Sequence, residues 1–204
     1  MPPIPPTIRE RILEAAFSAF MRFGYGGTST AQIARVARVS KRDLYANFGS
    51  KQAMLAGCVT ERVERMQRPL DLPAPVDRDS LYRTLVEFGT AIVRELSQPE
   101  VLATYRLAII EVENAPDVAH TLDRHGREAN LGALIELLTA ACSHGLLGRG
   151  EPADMAEMFV SLLMGGGLLV RLLMRVTAPP SQAEARQRAE LAAKCLFELY
   201  GGVG

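Results

Sequence analysis

Cysteine is scarce in this chain. Cys58, Cys142 and Cys195 lie far apart and form no CxxC or zinc spacing. They read as thiols of a reducing compartment, and no disulfide framework is implied. Long hydrophobic runs are missing too. The most lipophilic stretch, 158–170, is uncharged over 13 residues, with Glu157 and Arg171 close by. A membrane-spanning helix needs about 20 apolar residues. The opening MPPIPPT has neither the basic stretch nor the apolar run of a secretory signal. The expectation is a cytoplasmic protein that does not engage a membrane. Enzyme signatures are also lacking: there is no HExxH, GxSxG or Walker A pattern. Gly24-Tyr25-Gly26-Gly27 follows a helical pattern, not a strand, so it is no nucleotide loop. His120 and His125 sit about 140° apart around a helix and cannot face one metal. No catalytic residue, metal or cofactor is expected.

Net charge is absent as well, with 23 basic and 23 acidic residues. The balance hides a division. Residues 1–55 carry Arg9, Arg11, Arg22, Arg35, Arg38, Lys41, Arg42 and Lys51 against Glu10, Glu14 and Asp43, a net +5. The remainder, with 15 basic and 20 acidic residues, is −5. Such asymmetry points to a polyanion-binding module joined to a different domain.

What the chain does hold is helical periodicity, with no strand pattern of useful length. Its 48% hydrophobic content suffices for a packed core. About nine helices are expected in an all-α fold. The first starts at a Thr7/Glu10 capping box, puts Ile12, Leu13, Ala16, Phe17 and Phe20 on one face, and ends at Gly24. Short helices follow at about 29–37, capped by Thr28 or Ser29, and at 41–47, capped by Ser40 with Asp43. A fourth starts at Lys51. After the turn-rich 71–76, a fifth at 80–97 presents Leu81, Leu85, Phe88, Ile92 and Leu96. A sixth starts at Pro99, with Leu102, Tyr105, Ile109 and Val112 as its apolar face. A seventh covers 117–144. An eighth, 152–176, is apolar nearly all round and so should be buried on most sides. A ninth starts at Ser181/Glu184 and ends at Tyr200. The expected domains are 1–55 and 56–204.

The segment TSTAQIARVARVSKRDLYANFGSK, 28–51, has the form of a helix-turn-helix. Ile33, Val36 and Ala37 face inward from its first helix, Val39 is the apolar turn residue, and Leu44 and Phe48 face inward from its second. That leaves Lys41, Arg42, Asp43, Tyr45 and Asn47 outside. Arg42 has the forked donors that fit guanine O6 and N7. Lys41 and Lys51 can neutralise phosphates, and Tyr45 can donate to one. The helix start at Thr28 and Ser29 offers free backbone N–H groups to another. Asp43 has two readings, capping acid or acceptor from cytosine N4. Arg35 is either a phosphate contact or an exposed helix charge.

The run GYGGTS…IARVARVSKRDLYANF…SK resembles the DNA-binding domain of the TetR-type repressor family over residues 7–55. The remainder is similar to members with an AefR-like C-terminal domain. The resemblance implies a homodimer built from the last two helices, a two-fold symmetric double-stranded operator, and release by a small apolar or amphipathic effector bound in the second domain. It places Thr28, Ser29, Lys41, Arg42, Asp43, Tyr45, Asn47 and Lys51 at DNA. Two positions depart from the pattern. Arg38 replaces a turn glycine that often holds a left-handed conformation, at a cost of order 1 kcal/mol, unless it adds a phosphate contact. Asn47 stands where an aromatic or His is usual.

Pocket candidates are Phe88, Tyr105, Ile109 and Phe159, with core filling as the alternative for each. Dimer candidates are Gly166, Leu169, Leu173, Cys195 and Leu199. The run Gly165-Gly166-Gly167 serves close helix approach, space beside a ligand, or a break. Two rival functions remain: a DNA-binding regulator controlled by a partner or by nothing, and a helical-bundle enzyme or lipid-binding protein.

Overall fold

Helix α1 (Ile8–Gly27) starts where Thr7 and Glu10 cap each other, each side chain accepting from the other's backbone N–H. It buries Ile12, Leu13, Ala16, Phe17 and Phe20, and Gly24 kinks its end at φ 71°, ψ 168°. Helices α2 (Thr30–Ala37), α3 (Lys41–Phe48) and α4 (Lys51–Met66) follow. This is a computed structural model, and it describes residues 5–66, 72–113, 116–148, 150–165, 167–174 and 178–202. Beyond α4 come α5 (Arg78–Leu96), α6 (Pro99–Ile110), α7 (Pro116–Leu122), a π-helical segment (Asp123–Glu128), α8 (Ala129–Ser143), α9 (Pro152–Met164), α10 (Gly167–Met174) and α11 (Gln182–Tyr200). No strand occurs among the described residues.

The chain forms two compact units. The first combines Met1–Met66 with Ala103–Gly126, the second Gln67–Leu102 with Arg127–Gly204. In the first, α1 packs on α2 and α4, and α7 packs on α4. Ile33, Ala34, Ala37, Leu44, Met54, Leu55, Cys58 and Val59 join the α1 face in one core, to which Leu107, Ala108, Val118 and Leu122 also belong. Residue 55 lies inside the unbroken α4, so the first core extends past it. In the second unit α11 packs on α5 and α9, and α8 packs on α9. A stripe of Ala185, Ala189, Ala192 and Ala193 is buried on α11. Opposite it, a Cβ on Gly89 would lie 2.9 Å from the Ala189 Cβ and from a Leu163 methyl. Glycine therefore sets the α5–α11 approach.

Four expectations need correcting. Val36 is 60% exposed. The buried stripe of α2 is Ile33, Ala34 and Ala37, and Val36 lies about 100° from its centre. On α6 the buried positions are Val101, Leu102, Thr104, Leu107 and Ala108, while Ile109 is 59% exposed and Val112 is exposed. The segment VLATYRLAII is apolar at nearly every position, so periodicity gave it no phase. The expected helix at 117–144 winds through a π-helical segment between α7 and α8. The expected helix at 152–176 breaks at Gly165, whose φ 48°, ψ −148° suits glycine. Its first half buries Met155, Ala156, Phe159 and Leu163, but α10 buries nothing in the single chain. Among the described residues, no single helix is long and apolar enough to cross a membrane.

Candidate nucleic-acid interface

Helix α2 starts with a reciprocal cap. Ser29 Oγ accepts from Gln32 N, and Gln32 Oε1 accepts from Ser29 N. It ends at Arg38, whose φ 54°, ψ 48° is left-handed. Arg38 is the one non-glycine residue at positive φ among those described. The sequence expectation of a left-handed turn at this position is met by an arginine. Backbone bonds from Arg38 N to Arg35 O (3.3 Å) and from Val39 N to Ala34 O (3.0 Å) close the turn. Ser40 then caps α3, accepting from Asp43 N at 3.0 Å and donating to Asp43 Oδ2 at 2.7 Å. These Ser40 bonds, with Arg42 adding a smaller effect, hold the Asp43 carboxyl below the usual aspartate value. Asp43 therefore has a structural role as the capping acid.

Leu44 anchors α3 in the core at 0% exposure. Lys41, Arg42, Tyr45 and Asn47 lie exposed around it. Tyr45 Oη and Thr30 Oγ1 share a hydrogen bond of 3.2 Å. This bond holds the outer side of α3 beside the start of α2. Asn47 Nδ2 donates to Asp43 O at 2.7 Å, back along its own helix. Arg35, Arg38, Lys41 and Arg42 are exposed, and none has a hydrogen bond or ion pair with the described residues. Four guanidinium or ammonium groups thus stand in water along a turn and the first half of a short helix, an arrangement suited to a polyanion.

Thr28 and Lys51 are placed differently from the other candidates. Thr28 is 2% exposed. Its hydroxyl lies 2.7 Å from Gly24 O and 3.1 Å from Ala19 O, tying it to the kinked end of α1. Lys51 Nζ donates to Tyr25 O at 2.8 Å and Thr28 O at 3.1 Å, and sits 4.1 Å from the Tyr25 ring centroid. Burial pushes the Tyr25 phenol up, and the Glu111 carboxylate pushes it further. Thr30 and Tyr25 were not among the sequence candidates. Their partners, Tyr45 and Lys51, lie 15 and 26 residues away, beyond any local pattern.

In the second unit, Phe88 and Phe159 are buried together, with ring centroids 6.4 Å apart. Tyr105 packs against the first unit's core. Leu169 and Leu173 are exposed on α10 together with Val170 and Met174. On α11, Leu191 and Leu199 are exposed and Cys195 is half-buried. These three recur every four residues and form one stripe. Gly166 lies outside the described residues. A groove of about 620 Å³ beside α11 is lined by Val93, Arg171, Arg188, Leu191 and Lys194, among others.

Comparison with known proteins supplies the context. The model of bacterial regulatory proteins of the tetR family matches residues 12–58. The model of the AefR-like transcriptional repressor C-terminal domain matches residues 83–202. The HTH-type transcriptional regulator YvkB of Bacillus subtilis is 24% identical over 156 residues, 76% of this chain and 79% of that protein. A TetR transcriptional regulator from Agrobacterium tumefaciens has the same fold, with a TM-score of 0.81 and 23% identity over 95% of this chain and 94% of that one. The flavonoid-responsive regulator FrrA is similar at a TM-score of 0.74 and 26% identity, over 95% of this chain and 96% of its own.

Proposed function

The chain belongs to the TetR family of DNA-binding transcriptional regulators, and we propose that it is a repressor that binds a palindromic operator as a homodimer and leaves it when a small apolar or amphipathic molecule binds the second domain. The observation that carries the DNA half is the unpaired cation set at the turn and the start of α3. Residues 1–55 are the DNA-binding domain, and 56–204 the regulatory and dimerising domain. In this reading Arg42 reads a base edge through paired donors. Lys41 and Arg38 neutralise phosphates, and Tyr45 and Asn47 add polar contacts to the backbone. The N–H groups at the start of α2, by Ser29, receive another phosphate. Thr28 acts through its fixed position rather than its buried hydroxyl.

The dimer forms through α10 and α11, where Leu169, Leu173, Cys195 and Leu199 meet their copies. That would hold the two α3 helices about one DNA turn apart, ~34–36 Å. An effector bound near Phe88 and Phe159 releases the operator only if it prefers a dimer geometry with another spacing. Fragment selection from the source genome tests the first half: the protein should retain fragments sharing a palindrome. A screen of small molecules and metals against that operator tests the second. Affinity that no compound changes rules out ligand-released repression and leaves a regulator controlled by a partner or by nothing.

A further inference from the structure

From the contacts of its ammonium group, we infer that Lys51 is a positioning residue of the DNA interface, acting through the α1–α2 turn and not as a phosphate ligand. This rests on the DNA-binding reading above. An ammonium has three protons to donate. Two are directed at Tyr25 O and Thr28 O, at 2.8 and 3.1 Å. The same nitrogen lies over the Tyr25 ring, where the face of the aromatic system favours a cation. The sequence supplies the need for it. Gly24 leaves helical geometry, so the carbonyls after it lose regular helical donors, and a half-buried carbonyl requires a partner. Tyr25 O receives Thr28 N at 3.2 Å as well as Lys51. Thr28 is fixed from its other side by its hydroxyl. The next residue, Ser29, is the cap of α2.

Lys51 is the first residue of α4. The bond therefore ties the start of one helix to the turn that sets the start of another. The backbone N–H groups of α2 can meet a phosphate only if that turn is held. Charge-assisted bonds of this kind are short and directional.

The test compares salt dependence. Each phosphate contact contributes about 0.9 to the slope of log affinity against log salt. Lys51→Met keeps the stem over Tyr25 and removes the donors. It should weaken operator binding about 30-fold, measured well below its melting transition, with the slope unchanged. Lys41→Met should lose about 0.9 from the slope. Tyr25→Leu removes no charge and should weaken binding about 10-fold, and the double variant should be no weaker than Lys51→Met alone. Faster amide exchange at Thr30 and Ala31 should accompany both single variants in the free protein. A slope reduced by about 0.9 in Lys51→Met, with Tyr25→Leu binding like the parent, overturns the proposal. So does a lowered melting temperature with affinity intact. Failure of the DNA-binding reading looks different: the parent protein would retain no fragment at any salt.

Discussion

The helix pairs α2–α3 and α9–α10 each break at a residue with positive φ, 54° at Arg38 and 48° at Gly165, yet they end differently. After Arg38 the chain re-enters helix through a complete capping box, buries Leu44, and leaves cations outside. After Gly165 it enters a helix that buries no side chain and turns Leu169, Val170, Leu173 and Met174 outward. The first pair is finished by water, which solvates the charges. The second is unfinished in a single chain, because a contiguous apolar face of this kind marks an interaction surface. One break displays charge and the other displays apolar area, and each needs a different partner.

The largest expected effect attacks the second pair. Leu169→Asp with Leu173→Asp would place two carboxylates in the proposed interface. Burying charges without partners costs several kcal/mol, so the dimer should weaken at least a thousandfold, about 4 kcal/mol. Sedimentation should report a monomer. Helical circular dichroism should persist, because Leu173 is already 70% exposed in the single chain. A double variant that stays dimeric moves the interface away from α10.

The matching attack on the first pair is Arg42→Ala with Tyr45→Ala. Losing a forked base contact and a backbone contact should cost about 2.7 kcal/mol, or 100-fold in operator affinity. Both side chains are exposed, so the melting temperature should move by no more than about 2 °C. Fluorescence anisotropy on the selected operator reads the result. Unchanged affinity would remove α3 from the recognition role.

What the sequence could and could not disclose follows the same division. Capping boxes at Thr7/Glu10, Ser40/Asp43 and Ser181/Glu184 were readable because each is contained in four residues. The left-handed turn at Arg38 was readable from the helix-turn-helix frame around it. The inward sets of α1 and α5 followed from clean periodicity. The face of α6 was hidden because nearly all its positions are apolar. Val36 misled because an eight-residue helix has room for only one narrow buried stripe. The place of Lys51 depends on carbonyls 26 and 23 residues away, and spacing says nothing about such contacts. Its charge was visible in the sequence, and its use was not.

Arg38→Gly gives a smaller and sharper test, because its two consequences have opposite signs. Glycine removes the left-handed cost but gains unfolded-state entropy. The net stabilisation should be about 0.5 kcal/mol, read by denaturant unfolding. If Arg38 meets a phosphate, the salt slope should fall by about 0.9 and affinity severalfold. A variant that is more stable and binds equally well would make Arg38 a tolerated misfit in the turn. A variant that is less stable would mean that the arginine side chain supports the turn in a way its exposure does not suggest.

The finest contrast lies inside the helix-turn-helix itself. The box of α2 closes with Gln32, which does not titrate, and that of α3 closes with Asp43, which does. Hydrogen bonds from Ser40 lower the Asp43 pKa below its ordinary 3.8. A depressed folded-state pKa contributes stability that is full above the unfolded value and lost as pH falls through the folded value. The window is therefore acidic, below about pH 4, and nothing at this box should change between pH 5 and 7. Acidification should first accelerate amide exchange, relative to its intrinsic rate, at Asp43, whose N–H is held by Ser40. The Gln32 amide, held by Ser29, should keep its protection through the same range. Ser40→Ala should raise the Asp43 pKa toward 3.8 and flatten the acid dependence at α3 alone, as followed by NMR. Loss of protection at Gln32 and Asp43 in step would mean that the two helices open as one unit and that their caps do not act separately.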